Sequence, residues 1–96
     1  MSFRFRRTSA LTTVVDGDPL SVVDERLAVF HLAVIVTGTI DVTVQFTLDG
    51  TNWFDNADLT NVTASATAEV TVPVAAFRLK VNSVAGGSAY LSLLGA

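Results

Sequence analysis

The 96-residue chain has no cysteine, one histidine, one tryptophan and one tyrosine. Without cysteine there are no disulfides, and with His31 as the only histidine a Cys/His zinc site is excluded too. Charged residues make up 16% of the chain. The longest apolar stretch, "LAVFHLAVIV" at 27–36, is interrupted by His31 and is too short to cross a bilayer as a helix. The N-terminal "MSFRFRRTSA" lacks an apolar segment after its basic residues, so no signal peptide is read and no membrane association is expected. No window carries a sustained 3.6-residue apolar stripe, which argues against helices. A Gly-x-Ser-x-Gly nucleophile elbow is missing as well.

What the chain does have is apolar content. Half its residues are apolar and the mean hydropathy is +0.52. A chain this short buries only about 60–65% of its unfolded surface, so stability is thin. A tight β core, oligomerisation, or both must supply the rest. Charge is split: Arg4, Arg6 and Arg7 give the first seven residues +3, and the remaining 89 carry three basic and nine acidic side chains, a net of −6. An acidic body does not suit phosphate backbones, so no nucleic-acid partner is expected.

Fifteen Val, two Ile and twelve Thr make 29 β-branched residues. Such side chains favour pleated sheet and lose freedom in helices. The expectation is an all-β, single-domain β-sandwich, jelly-roll-like, with about eight short antiparallel strands. Residues 1–9 read as a basic/aromatic arm or edge strand, and 10–96 as the sandwich. Expected strands are Phe3–Arg7, Leu11–Val15, Leu20–Val23, Ala28–Thr37, Ile40–Leu48, Trp53–Phe54, Leu59–Thr63, Ala66–Val72, an alternating run from Phe77 to Asn82, and Ala89–Leu94. Ala28–Thr37 is apolar on both faces, so it is expected to be central and covered on both sides. The Thr/Ala-rich "NVTASATAEVTV" at 61–72 reads as an edge hairpin.

In "FTLDGTNWF", residues 46–54, the strand alternation stops at Asp49-Gly50. Asp bonds the backbone two residues on, and Gly accepts positive φ, so "DGTN" is expected to be a four-residue hairpin loop. Trp53 would then anchor the core beside Leu48 and Phe46, with Phe54 pointing the opposite way as an exposed aromatic. The longer stretch "GTIDVTVQFTLDGTNWF" (38–54) and the closing "FRLKVNSVAGGSAYLSLLG" (77–95) resemble small β-sandwich virion structural proteins of tailed bacteriophages, of the capsid decoration or cement type. The Asp-Gly-x-x-Trp hairpin is also similar to hairpins of discoidin-type jelly rolls, many of which bind sugars or lipids. The resemblance spans roughly residues 28–95 and does not extend to residues 1–27.

Other constellations read more blandly. His31 has no visible nucleophile or carboxylate beside it, so a satisfied or interfacial histidine is favoured over a general base. Asp16 and Asp18 in "VDGDP" have turn chemistry that competes with calcium ligation, which needs six to eight oxygens. Trp53, Phe54 and Tyr90, with Asn52, Asp55 and Asn56 nearby, would make a sugar platform only if exposed together. No catalytic residue, metal or cofactor is expected.

The resemblance therefore implies a non-enzymatic virion protein, made in the host cytoplasm, that decorates or cements the capsid shell. The major capsid protein or other virion proteins would be its partners. A homo-oligomer is expected, with a trimer favoured because decoration proteins commonly occupy threefold positions. Ala28–Thr37 would lie near the centre of the self-contact, with residues 90–96 contributing. Phe3, Arg4, Phe5, Arg6 and Arg7 are the candidate capsid contacts, since arginine forks bind carboxylates in two places. The alternatives are a carbohydrate-binding or receptor-facing module, or a tail or neck component.

Overall fold

The chain winds into two antiparallel four-stranded sheets packed face to face. The structure is a computed structural model and describes residues 4–22, 30–70 and 74–95. Phe3, Val23, Ala28–Val29 and 71–72, all placed in expected strands, lie outside the described residues. The strands are β1 (Arg4–Arg7), β2 (Leu20–Ser21), β3 (Phe30–Thr37), β4 (Ile40–Thr47), β5 (Trp53–Asp55), β6 (Ala66–Val70), β7 (Ala76–Val84) and β8 (Ser88–Gly95). Sheet one has the order β1-β8-β3-β6 and sheet two the order β2-β7-β4-β5. The first strand pairs with the last, the second with the seventh, the third with the sixth and the fourth with the fifth. This nested pairing is the jelly-roll winding.

Period-2 alternation builds the core. Phe30, Leu32 and Val34 of β3 and Leu91 and Leu93 of β8 face Val42 and Val44 of β4 and Phe77, Leu79 and Val81 of β7. Phe30 and Phe77 meet edge to face across the sheets, with centroids 5.7 Å apart and planes at 68°. The β4–β7 register shifts between Asp41 and Val42, because Asn82 is one residue too many for its partner strand. The bulge lets Val81 and Val84 both turn inward although they are three apart, and it aims Asn82 outward.

Two connections close one end of the sandwich. Gly38-Thr39 carries the chain from β3 in sheet one to β4 in sheet two, and 85–87 returns it from β7 to β8. They lie side by side, with Ala85 N–H donating to the Thr39 carbonyl at 2.9 Å.

Several expected strands are corrected. Leu11–Val15 is a crossover: Leu11 makes one bridge to Ala89 on β8, then Val15 and Gly17 bond β7. A segment that changes sheets cannot hold one ladder, and Val14 and Val15 are exposed. Leu59–Thr63 is replaced by a 3-10 turn at Ala57–Leu59 and a single bridge from Val62 to Val42. Within its described residues, 61–70, the 61–72 stretch is accordingly no hairpin. Val62 sits on sheet two and β6 on sheet one. Central placement of β3 between β8 and β6 is as expected, but among the described residues only one of its faces is covered.

Candidate functional site

The two outer faces differ in chemistry. On sheet two, the outward residues of β4 are Asp41, Thr43, Gln45 and Thr47, and β7 adds Arg78, Lys80 and Asn82. Asp41, Thr43, Gln45, Arg78 and Asn82 form side-chain hydrogen bonds on this face. Arg78 Nε donates to Gln45 Oε1 at 2.8 Å, and Gln45 Nε2 donates to Asp55 Oδ1 at 2.8 Å. Asn82 Nδ2 donates to Asp41 Oδ1 at 3.0 Å and to Thr43 Oγ1 at 2.9 Å. Among the described residues, every buried side-chain nitrogen or oxygen has a partner. This face satisfies itself.

Trp53 belongs to this face, which corrects its expected place in the core. β4 ends at Thr47, and the register sets Thr47 opposite Trp53 and Phe46 opposite Phe54. Ending the strand one residue before Leu48 makes the loop five residues long and puts Trp53 on the outward side. Leu48 is 62% exposed. The half-buried indole is stacked by the Arg78 guanidinium, whose carbon lies 4.3 Å from the ring centroid. Such a contact is worth about 0.5–1 kcal/mol at an exposed site. Trp53→Ala is therefore expected to fold and to lose about 1 kcal/mol, where a core tryptophan would cost about 3–5 kcal/mol. Urea unfolding measures this, and an unfolded variant would return Trp53 to the core.

Thr47 also begins the turn. Its hydroxyl accepts from Gly50 N–H at 2.9 Å and donates to Asp49 Oδ1 at 3.1 Å. Asp49 Oδ1 accepts from the N–H groups of Thr51 and Asn52, each at 2.8 Å, and Oδ2 accepts from Asn52 Nδ2 at 2.7 Å. Gly50 has φ 82°. The Asn52 backbone N–H, then that of Thr51, then the Asn52 amide hold the Asp49 carboxyl well below the usual carboxylate range. The folded pKa is lower than the unfolded one, so this contribution is complete above about pH 4 and fades as pH falls below it. In urea titrations the wild type should exceed Asp49→Ala in stability at pH 7, and the gap should narrow at pH 2.5. A constant gap would detach the turn from the ionised carboxylate.

Phe54 is 52% exposed, points to the side of β5 opposite Trp53, and lies 5.8 Å, centroid to centroid, from Phe46. Tyr90 is on the outer face of sheet one, with the Arg7 guanidinium 5.9 Å from its ring centre. The three aromatics of the expected sugar platform thus occupy three different surfaces. Asp16 lies 3.8 Å from Arg78, and no group of three or more His, Asp or Glu among the described residues forms a metal-ligand set.

The outer face of sheet one is less polar. β3 presents His31, Ala33 and Ile35; β8 presents Tyr90, Ser92 and Leu94; β6 presents Thr67 and Glu69. His31 Nδ1 is 3.7 Å from Glu69 Oε2, both side chains about half exposed. A shallow depression of about 600 Å³ lies over the middle. Sequence reasoning missed that no described residue covers this face, although the apolar run at 27–36 signalled that both sides of β3 are unlike a solvated strand. Of the candidate capsid contacts, residues 4–7 form β1, paired along its length with β8. Phe3 and the side chains of Arg4, Phe5 and Arg6 lie outside the described residues; Arg7 is exposed. No described helix is long and apolar enough to cross a membrane.

No family model matches the chain, and no curated protein matches it. Solved structures do share its fold. The SPBc2 prophage-derived protein YomS superposes on 100% of this chain and 96% of its own, with a TM-score of 0.67 at 13% identity. A protein of Bacillus endospore appendages, a family of disulfide-linked pili, covers 98% of this chain and 87% of its own, with a TM-score of 0.51 at 12% identity. What this chain has in common with the prophage protein and the pilus protein is the fold.

Proposed function

We propose that the chain is a non-enzymatic structural protein of a bacteriophage particle, which decorates or cements the capsid shell through self-assembly and contacts along its N-terminal strand. The observation that carries this reading is the contrast between the outer faces. A face whose polar groups bond one another suits solvent, and a less polar face with a centre of small side chains and Leu94 exposed beside them suits a protein neighbour. The fold shared with a prophage-derived protein supports the phage setting, and the fold shared with a pilus protein supports an assembling role. The pili are disulfide-linked; this chain has no cysteine, so its own assembly would not use disulfides.

The basic N-terminal strand suits acidic residues of a capsid subunit, while the acidic body faces away. The glycan-binding alternative is weakened by Arg78, which covers one face of the only indole. The test uses shells prepared with and without the protein. Shells lacking it should burst at milder heat or osmotic shock, and adding it back should restore them. Arg4→Glu combined with Arg6→Glu should leave the domain folded but release it from shells, as should raised salt. Equal bursting with and without the protein, together with sugar-dependent quenching of Trp53 fluorescence, would favour the glycan reading.

A further inference from the structure

The outer face of sheet one carries opposite charges at its two edges. Arg7 stands on β1 and Glu69 on β6, with β8 and β3 between them. Three strand spacings separate them, roughly 14 Å. The register aligns Arg7, Ser92, Ala33 and Thr67 across the sheet, and the next outward row contains Leu94, His31 and Glu69. The middle of the face is made of small residues: Ala33, Ser92 and Thr67. Ile35, Tyr90 and Leu94 stand around them.

We propose that this face docks a second copy of the same chain, face to face, about a two-fold axis running along the strands between β3 and β8, so that Arg7 of each copy meets Glu69 of the other. The choice of axis follows from the charges. Rotation about an axis along the strands exchanges the sheet's left and right edges, and β1 of one copy lies over β6 of the other. Arg7 then faces the partner's Thr67, and the partner's Glu69 is two residues further along, about 6.6 Å, within reach of an arginine side chain. Rotation about an axis across the strands would set β1 over β1 and bring the arginines together, which is unfavourable. An axis along the strands also stacks β3 over the partner's β8. Ala33 then meets Ser92, where two small side chains let the sheets close to packing distance. Each contact occurs twice, as in any isologous pair.

Four strands and up to eight residues per strand give a face of roughly 19 by 26 Å, so a pair buries about 1,000 Å² in total. That lies below the standard range of about 1,200–2,000 Å² for a stable interface, so the dimer is weak and reversible. The inference rests on reading the chain as a self-assembling protein, and it replaces the expected trimer with a pair.

The experiment is sedimentation of purified protein without capsids, so that failure to attach to shells leaves its result untouched. The wild type should be dimeric at tens of micromolar. Arg7→Glu alone and Glu69→Arg alone should each raise the dimer dissociation constant roughly tenfold or more, because each sets like charges together twice. The double variant Arg7→Glu/Glu69→Arg should return it to within a few-fold of the wild type. Glu69→Gln, which removes a charge and keeps the shape, provides a milder variant that should also weaken the pair; circular dichroism checks that each variant is folded. A monomeric wild type, a trimer, or a folded double variant that stays monomeric overturns the proposal.

Discussion

Phe77→Ala is expected to unfold the domain or bring it to the edge of unfolding at room temperature. Phe77 is fully buried on β7, flanked by Leu20 of β2 and Phe46 of β4 in the sheet, and it touches Phe30 of the opposite sheet edge to face. Removing the ring takes away its transfer free energy and leaves a cavity that neighbours from two sheets cannot close together. Phe→Ala changes at such sites cost about 3–5 kcal/mol, against about 5–15 kcal/mol for a whole small domain. Thermal melting followed by circular dichroism reads the effect directly. A variant melting within a few degrees of the wild type would show that Phe77 is not central to the core.

Gly87→Ala is the second large expected loss. A Cβ at Gly87 would lie 2.6–2.7 Å from the backbone N, C and O of Thr39. The obstacle is main chain, so no rotamer change relieves it. The two sheet-to-sheet connections would have to separate, straining the bond from Ala85 N–H to Thr39. Overpacking of this kind costs about 1–3 kcal/mol and the weakened hydrogen bond about 1 more. Gly50→Ala is the comparison. Its added Cβ meets nothing within 4 Å, so only the φ of 82° is penalised, by about 1–2 kcal/mol. Chemical denaturation should rank the Gly87 variant as the less stable; the reverse order would mean that the connections do not pack as described.

The fold class was legible because one physical rule governs most of the chain. Where β3, β4, β7 and β8 bury one face, apolar residues must recur every second position, and they do. Runs such as Ile40–Leu48 can be read by eye. The nested strand order is another matter, since alternation shows which face is buried and not which strand lies alongside. Trp53 shows how a local competitor defeats the pattern. Alternation continues through Leu48, but the Thr47 hydroxyl captures the Gly50 N–H and ends the strand one residue sooner. That slip reverses the face of everything after the loop. The open face of β3 was hidden for the opposite reason. An apolar strand face reads the same whether its own chain or a neighbour covers it.

The position of β8 has a bearing on how the protein is made. β8 is made after the other seven described strands, yet it joins β1 and β3 into one sheet. During synthesis, at about 5–20 residues per second, sheet one cannot form around its middle. β1 waits for a partner that is encoded more than eighty residues later, and the apolar β3 waits with one side unpaired. Such distant pairing is slow to form and leaves sticky strands exposed. Nascent chains arrested before residue 88 should be digested readily by protease, and chains that include β8 should resist. Protection appearing in the arrested chains would mean that sheet two folds without its companion. Sheet one can close only once β8 has been made, and the chain that still lacks β8 is the stage at which a chaperone has most to hold.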